Sequence, residues 1–383
     1  MQIGLFLYNP AGGERAECHP LTLDALPRLI PTVSGGYLYD RMLAEHLLRS
    51  GDRVTLLTLP WRSYARQLLD NLDAGWWNQV AGLELDVMVQ DELNHPSLVW
   101  ANRRLQERYP LVSIVHHLRS SEFRPAWQNR LYRRVECEYL STVDGFVYNS
   151  QTTRKVVEAV IDARGKPYQV AYPAGDRFGE EISSAEINLR AMQPPPLRLC
   201  FLGNLIPRKG LHTLLEALAQ LPPQDWQLQV IGSLQADPGY ARQVREQAAA
   251  LQGKVEFCGT LDHEALVERL RSSQVLVLPS TYEGFGIAYL EGMSFGLPAV
   301  ATRSGAAGEV ITPGQDGFLV EPGDAAALAH VVLDLAHDRL RLATMGLAAR
   351  RRFLAHPGWE QSCRAIREFL LRLSGQHDEA RHA

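Results

Sequence analysis

Two glutamates eight residues apart, Glu283 and Glu291, offer the clearest chemistry in this sequence. A buried strand is predicted at 274–278, and a helix is predicted to begin near Gly286. The N–H groups of a helix N-terminus attract anions, and glycines on both sides of Phe285 let a ligand approach the backbone. Glu283 can then accept hydrogen bonds from sugar hydroxyls. Glu291 can reach back toward a ribose, because helical side chains lean toward the N-terminus. Two solvated glutamates beside an ordinary turn would give the same spacing.

A second group of residues follows a predicted strand at 197–202. The segment 203–210 reads Gly-Asn-Leu-Ile-Pro-Arg-Lys-Gly and precedes a predicted helix. Arg208 and Lys209 at such a turn can neutralise a diphosphate, the arginine as a fork and the lysine as a point charge. A solvated basic turn is the other interpretation.

Two further features lie in the first half of the chain. Gly35 and Gly36 precede a predicted helix at 37–50, where glycines suit close approach of a phosphate or sugar, although no dinucleotide-binding G-x-G-x-x-G is present. A strand at 111–115 ends in His116 and His117, either of which can contact a sugar hydroxyl. A packed histidine or a zinc ligand are the alternatives, but the sequence shows no further zinc-ligand set. It also lacks an Asp-x-Asp pair, so we expect no metal and no cofactor.

The elements that must position these residues alternate between short apolar strands and longer helical patterns. This alternation predicts two doubly wound α/β domains with an interdomain cleft, where ligands bind beyond the strand ends. Three consecutive prolines at 194–196 break the pattern. We therefore expect a first domain at 1–190, a linker at 191–196 and a second domain at 197–360. The segment 361–383 is expected to form a C-terminal helix that packs back on the first domain, followed by a frayed tail.

Composition narrows the class of protein. The 383 residues carry a net charge of -4, which argues against a nucleic-acid partner. Five widely spaced cysteines without a C-x-x-C favour a reduced, cytoplasmic protein. The N-terminus lacks the pattern of a signal peptide, and no apolar run approaches the roughly 20 residues of a membrane span. Membrane contact is therefore expected to be peripheral. The basic and aromatic segment 124–134 is one candidate for it, and a solvated helix face is the alternative.

The run from Pro279 to Asp324 resembles the retaining family 4 glycosyltransferases, also called glycosyl transferases group 1, which have the GT-B fold. Over these 46 residues the order and spacing of the family recur. The matching segments are Pro279-Ser280, Glu283-Gly284-Phe285-Gly286, Leu290-Glu291-Gly292-Met293, Gly296-Leu297-Pro298-Ala299-Val300-Ala301-Thr302, Gly305, Glu309-Val310, Gly317-Phe318-Leu319-Val320 and Pro322-Gly323-Asp324. Weaker similarity covers Gly35-Gly36, 148–150, 172–176 and 203–210.

The resemblance implies a role for each of these residues. Glu283, Lys209 and His116 would act at the reacting sugar and diphosphate, with His117 as the alternative histidine. The residues implied to bind the donor are Gly35, Gly36, Arg208, Lys209, Glu283, Gly284, Phe285, Gly286 and Glu291. Asn204 departs from the family, which often has arginine there, and this puts one phosphate contact in question.

The implied activity is retaining, metal-independent transfer of a hexose from a UDP-, GDP- or ADP-sugar. The acceptor would be a glycan, a lipid or a small molecule, in the synthesis of a polysaccharide or glycolipid. Two other functions stay open at this point. One is a nucleotide-sugar epimerase or hydrolase on the same scaffold, and the other is a non-catalytic binding subunit.

Overall fold

The computed structural model describes residues 1–9, 15–32, 34–122, 124–163, 165–179, 181–251 and 254–382. The chain forms two compact units. Unit 1 comprises Met1–Pro173 and the C-terminal segment from Trp359, and unit 2 comprises Ala174–Gly358.

Unit 1 contains one sheet whose described strands run in the order β2-β3-β1-β4-β5-β6-β7. All neighbouring strands are parallel except β2, which lies antiparallel to β3 at the edge. The strands are β1 (Gln2–Asn9), β2 (Glu17–Pro20), β3 (Arg53–Pro60), β4 (Val87–Asp91), β5 (Leu111–Val115), β6 (Gly145–Tyr148) and β7 (Tyr168–Val170). The helices are α1 (Leu26–Leu29), α2 (Gly35–Arg49), α3 (Tyr64–Asp70), α4 (Ala74–Ala81), α5 (His95–Leu98), α6 (Asn102–Leu105), α7 (Ala126–Thr142) and α8 (Gln151–Glu158). The continuous apolar run in β1 suits a central strand that is covered on both faces.

Unit 2 contains a fully parallel sheet in the order β10-β9-β8-β11-β12-β13. The strands are β8 (Leu197–Leu202), β9 (Trp226–Ile231), β10 (Val255–Gly259), β11 (Val275–Leu278), β12 (Ala299–Thr302) and β13 (Gly317–Val320). The helices are α9 (Ser184–Ala191), α10 (Leu211–Leu218), α11 (Pro238–Ala249), α12 (His263–Ser272), α13 (Ile287–Ser294), α14 (Ala307–Val310), α15 (Ala325–His337) and α16 (Arg339–Ala355).

Each sheet reverses its direction of growth once. In unit 1 this switch lies between β1 and β4, and in unit 2 it lies between β8 and β11. Loops that leave the carboxyl ends of such a strand pair diverge, which opens the crevice where doubly wound sheets bind ligands. In unit 2, Arg208 and Lys209 follow β8 and Glu283 follows β11, the two strands at the switch point.

The strands expected at 111–115, 197–202 and 274–278 have counterparts within one residue of those bounds. Strand β2 was not predicted, because Glu17-Cys18-His19-Pro20 is a short polar segment on a sheet edge. Pro357 and Gly358 separate α16 from the C-terminal helix α17 (Trp359–His382).

The division between the units differs from the linker expected at 191–196. The prolines end helix α9 inside unit 2, since Arg190 just before them is buried there. Its guanidinium donates to the carbonyl oxygens of Phe295 at 2.6 Å and Gly296 at 3.1 Å. Gln274 in turn donates to the Arg190 carbonyl oxygen at 2.6 Å. A proline run that breaks secondary structure need not separate domains.

Helix α17 packs on the helix α2 of unit 1. Trp359 lies edge-on to Tyr39, with ring centroids 5.6 Å apart. Arg367 Nε donates to Asp52 Oδ2 at 2.6 Å, and Asp52 also accepts from the N-terminal amine at 2.9 Å. Among the described residues, no helix combines the length and apolar composition needed to cross a bilayer.

Candidate active site

The turn after β8 and the loop after β11 meet at the switch point of unit 2. Gly210 has φ +71°, and a Cβ there would lie 2.1 Å from the Pro279 carbonyl oxygen. The Thr281 N–H donates to the Arg208 carbonyl oxygen at 2.8 Å. This close approach requires glycine at position 210, and it brings Arg208 and Lys209 beside the glutamate loop.

Lys209 and Glu283 form a buried ion pair at this junction. Lys209 Nζ lies 2.6 Å from Glu283 Oε1, and the Ser280 hydroxyl donates to the same oxygen at 2.7 Å. Arg208 Nη1 lies 3.7 Å from Glu283 Oε1 and donates to the Tyr282 carbonyl oxygen at 2.7 Å. Glu283 is only 6% exposed. The structure thus brings together three residues that the sequence predicted from two separate motifs.

Burial and the neighbouring charges set the pKa values of Glu283 and Lys209. Burial opposes ionisation of Glu283, but the charges of Lys209 and Arg208 outweigh it and lower its pKa to about 2. Burial lowers the pKa of Lys209, although Glu283 opposes this effect. At neutral pH Glu283 is a carboxylate held by cations, so it can accept hydrogen bonds but has no proton to give.

The backbone around Glu283 is fixed by two more glycines. Gly305 pairs with Glu283 in an isolated parallel bridge, and the Ala306 N–H donates to the Glu283 carbonyl oxygen at 2.9 Å. Gly305 has φ +83°, and a Cβ there would lie 1.9 Å from that oxygen. Gly286 has φ +95° and immediately precedes α13, and a Cβ there would lie 2.2 Å from the Tyr289 ring. Gly284, Phe285 and Gly286 therefore lead into a helix N-terminus, as predicted.

Glu291 lies on α13, and Arg177 binds it. Arg177 Nε donates to Glu291 Oε1 at 2.5 Å. Gly175 makes this possible, because it packs so closely on α13 that a Cβ there would lie 2.6 Å from the Leu290 carbonyl carbon. Arg177 was not among the donor-binding residues predicted from the sequence. Its signal was present in the weaker similarity at 172–176, which it directly follows.

In unit 1, Gly36 and His116 lie against each other. A Cβ at Gly36 would lie 3.3 Å from His116 Cδ2, and the His116 ring lies edge-on to Tyr39 at 5.1 Å. His117 instead lies with its Nε2 3.0 Å from Glu122 Oε1. Of the two histidines, His116 is therefore the one that the structure places beside Gly35 and Gly36 at the start of α2.

Two aspartates that the sequence did not select complete the surroundings of His116. Asp40 Oδ1 lies 3.4 Å from His116 Nε2, and Asp91 offers a third potential ligand atom, all within 4.8 Å of one another. Burial lowers the pKa of His116, but Asp40, Asp91 and Glu92 outweigh it and raise that pKa to about 9. In the structure His116 and Asp40 form an ion pair, and the three residue types also suit a metal ion.

A neighbouring cluster of Glu92, His95 and Glu136 also has residue types that suit a metal ion. His95 Nε2 lies 3.0 Å from the Tyr64 hydroxyl, and its Nδ1 lies 3.0 Å from the Glu92 carbonyl oxygen. Glu136 accepts from the Ser120 N–H at 3.0 Å and from the Ser120 hydroxyl. Both nitrogens of His95 and both oxygens of Glu136 thus have hydrogen-bond partners, which favours a structural network.

Comparison with known proteins assigns the fold and shows which family the second half of the chain resembles. The family model described as glycosyl transferases group 1 matches residues 190–352, which include every candidate residue of unit 2 except Arg177. The segment 190–352 is therefore similar to this family. The sucrose-phosphate synthase of Thermosynechococcus elongatus covers 98% of the chain at a TM-score of 0.78 and 21% identity, with 99% of its own length aligned. The chain therefore has the predicted GT-B fold class, with two Rossmann-like domains.

Curated relatives align with the chain over part of their length. A GDP-mannose-dependent monoacylated alpha-(1-6)-phosphatidylinositol monomannoside mannosyltransferase of Corynebacterium glutamicum is 31% identical over 190 residues, 47% of this chain and 48% of the relative. A D-inositol 3-phosphate glycosyltransferase of Streptomyces avermitilis is 30% identical over 246 residues, 60% of this chain and 52% of the relative. The chain thus spans about half the length of the curated relatives that it matches.

The surroundings of His116 lead to a testable titration. Asp40→Asn removes the nearest carboxylate, so the pKa of His116 should fall from about 9 toward or below its ordinary value of 6.5. Because folding raises the pKa of His116, its protonated form stabilises the fold. This contribution is fully present below about pH 6.5 and disappears as the pH rises through about 9. The loss of stability over that range should therefore be smaller in Asp40→Asn. Histidine NMR titration with urea unfolding would measure both, with exposed Asp24→Asn as the control. An unchanged His116 titration in Asp40→Asn would contradict the assignment.

Proposed function

We propose that this chain is a glycosyltransferase that moves a hexose from a UDP-, GDP- or ADP-sugar to an acceptor. Unit 2 binds the donor, and unit 1 binds the acceptor and supplies His116. The observation that carries the proposal is the buried ion pair of Lys209 and Glu283 at the switch point of a Rossmann-like sheet. Such a junction combines cations for a diphosphate with a carboxylate for sugar hydroxyls.

Each donor-binding residue has a role that its surroundings support. Lys209 and Arg208 neutralise the diphosphate that develops charge as the sugar leaves. Glu283 accepts hydrogen bonds from the sugar hydroxyls, because its low pKa keeps it ionised. The amides of Gly284, Phe285 and Gly286, at the start of α13, face the same anion.

Further from the sugar, Glu291 accepts hydrogen bonds from the ribose hydroxyls. Arg177 holds the Glu291 carboxylate in place. In unit 1, Gly35 and Gly36 allow the diphosphate to approach the start of α2. His116 donates a hydrogen bond to the reacting sugar, since its raised pKa keeps it protonated at neutral pH.

The reaction is proposed to retain the anomeric configuration and to need no metal. The leaving diphosphate assists deprotonation of the acceptor on the same face of the sugar. Lys209 and Arg208 supply the positive charge that a divalent cation supplies in other transferases. The protein contributes orientation of the two substrates and stabilisation of the leaving group.

We also propose that unit 1 docks on an anionic membrane surface through the outer face of α7, formed by Trp127, Arg130, Leu131 and Arg134. Trp127 is 69% exposed and Leu131 is 46% exposed. The two arginines on the same face are exposed as well. Apolar side chains of this kind enter the headgroup region while arginines pair with anionic lipids. The names of several relatives as phosphatidylinositol mannosyltransferases agree with a lipid acceptor.

Two substitutions test the proposed donor site. Glu283→Gln should lower kcat by at least about 100-fold and should also destabilise unit 2, because Lys209 then stays buried without its carboxylate. Lys209→Met should weaken nucleoside diphosphate binding and destabilise unit 2 by about 3 kcal/mol, because Glu283 stays buried without its cation. Thermal shift with UDP, GDP and ADP, followed by turnover with the corresponding sugars, would measure both. Exposed Arg303→Gln, which loses a surface pair with Glu321, is the matched control. Unchanged turnover in both site variants would refute the placement.

Product analysis tests the mechanism. NMR of the product should show the anomeric configuration of the donor, and chelation by EDTA should leave the rate unchanged. An inverted product would exclude retention, and restoration of a lost rate by Mn²⁺ or Mg²⁺ would exclude metal independence. An epimerised or free sugar formed without any acceptor would favour the epimerase or hydrolase.

Vesicle flotation tests the membrane proposal. The chain should float with phosphatidylcholine vesicles that contain phosphatidylglycerol, and high salt should release it because the arginine contribution is screened. Trp127→Ser combined with Leu131→Ser should abolish flotation, whereas exposed Leu189→Ser in unit 2 should not. Equal flotation with neutral vesicles, or none with anionic ones, would disprove the docking.

A further inference from the structure

Arg119 lies on a platform made of two tyrosine rings in unit 1. Its guanidinium carbon is 5.3 Å from the Tyr64 ring centroid and 5.1 Å from that of Tyr132. The two rings lie 4.3 Å apart and are tilted by 42°. Both distances fall within the range in which a cation is attracted to an aromatic face.

Hydrogen bonds hold the platform in place. The Tyr64 hydroxyl lies 3.0 Å from His95 Nε2, and Gln128 Nε2 donates to the Tyr132 hydroxyl at 2.6 Å. The polar ends of both rings are thus engaged, which fixes the faces that support the guanidinium. Such an arrangement is ordered before any ligand arrives.

The backbone on both sides of Arg119 is anchored as well. Leu118 is fully buried in the core of unit 1. Ser120 donates both its N–H, at 3.0 Å, and its hydroxyl to the carboxylate of Glu136. The backbone that carries the guanidinium is therefore held in place.

The charge of Arg119 has no carboxylate within 4.0 Å in the part of the chain that the structure describes, and its buried Nε has no hydrogen-bond partner. Nearby arginines differ in this respect. Arg124 also stacks on Tyr132 but pairs with Glu122, and Arg62 Nη1 lies 3.0 Å from Asp70 Oδ1. A partly buried guanidinium that has an unpaired donor and no carboxylate in contact marks a place where an anion would be stabilised.

Glu92, an acidic residue near Arg119, does not neutralise the guanidinium at pH 7. Burial raises the pKa of Glu92 to about 8, which leaves its carboxyl largely protonated. The charges of both His116 and Arg119 oppose that rise. Glu92 is therefore within electrostatic reach of both groups, and Arg119 follows the same strand, β5, as His116. The guanidinium belongs to the same end of the sheet as the residue proposed to serve the reacting sugar.

We propose that Arg119 is an anion subsite for the acceptor, and that the acceptor of this enzyme carries a phosphate group. This inference rests on the proposed transferase function. A stacked guanidinium keeps its planar fork of N–H donors, which matches two oxygens of a phosphate. The phosphate can belong to a lipid headgroup or to a soluble sugar phosphate, and the recognition chemistry is the same.

A binding experiment tests the subsite without relying on turnover. Inorganic phosphate is titrated into the full chain while the ¹⁵Nε signals of the arginines are followed by NMR. In the wild type, the ¹⁵Nε signal of Arg119 should shift and reach a plateau as phosphate is added. This shifting signal should be absent in Arg119→Gln. Arg119→Lys keeps the charge but not the fork, so it should bind phosphate several-fold more weakly. Exposed Arg104→Gln in the same unit should behave as the wild type. Titration curves that are identical in the wild type and Arg119→Gln would overturn the proposal.

Paired acceptors then test the substrate class. Glucose and glucose 6-phosphate, and myo-inositol and myo-inositol 1-phosphate, are compared as soluble pairs, with phosphatidylinositol vesicles as the lipid arm. At least one phosphorylated acceptor should be used in preference to its neutral partner, and Arg119→Gln should raise its KM by about 10- to 100-fold. The KM of the donor, measured by donor hydrolysis, should not change. Preference for a neutral acceptor would overturn the subsite, whereas no binding of any nucleoside diphosphate would refute the transferase itself.

Discussion

The buried pair of Lys209 and Glu283 is the constraint on which the ligand end of unit 2 depends. Removing a lysine and a carboxylate from water costs several kcal/mol for each ion, and their attraction repays this only with good geometry. The 2.6 Å contact, the Ser280 hydroxyl and the nearby Arg208 provide that geometry. A diphosphate bound here would share the positive charge of Lys209 and Arg208 with Glu283. The pair therefore holds the lysine in position for the ligand that we propose.

Backbone contacts that admit no side chain keep this pair in place. Gly210 brings the turn after β8 against Pro279, and Gly305 brings the loop after β12 against Glu283. Three loops at the carboxyl end of the sheet are thereby joined through positions where a Cβ would clash with a carbonyl oxygen. This explains why the family resemblance is dense in glycines. The glycines determine where the charged groups lie, and the charged groups determine what binds.

Local patterns predicted the parts of the structure that depend on nearby residues. Apolar runs bounded by turns located the strands, and the glycine-flanked helix start located Glu283 and Gly286. Asp40 and Asp91 were not predicted, because Asp91 meets His116 through the pairing of β4 and β5, and Asp40 reaches it from helix α2. Their spacing in the chain carries no periodic signal. Arg177 was missed for a similar reason, since its partner Glu291 lies 114 residues away. The proline run at 194–196 was misleading because a helix stop and a domain boundary have the same local composition.

The two sheets support different chemistry although their topologies are alike. At the end of the unit 2 sheet, cations and a carboxylate neutralise one another until a ligand intervenes. At the end of the unit 1 sheet, burial raises the pKa of Asp91 to about 7 and that of Glu92 to about 8, so these acids bind protons over the physiological range. Asp40 pairs with His116, and Glu136 directs both oxygens to Ser120. The charge of Arg119 is then left without an ionised partner in contact, and an anionic group on the acceptor would supply it.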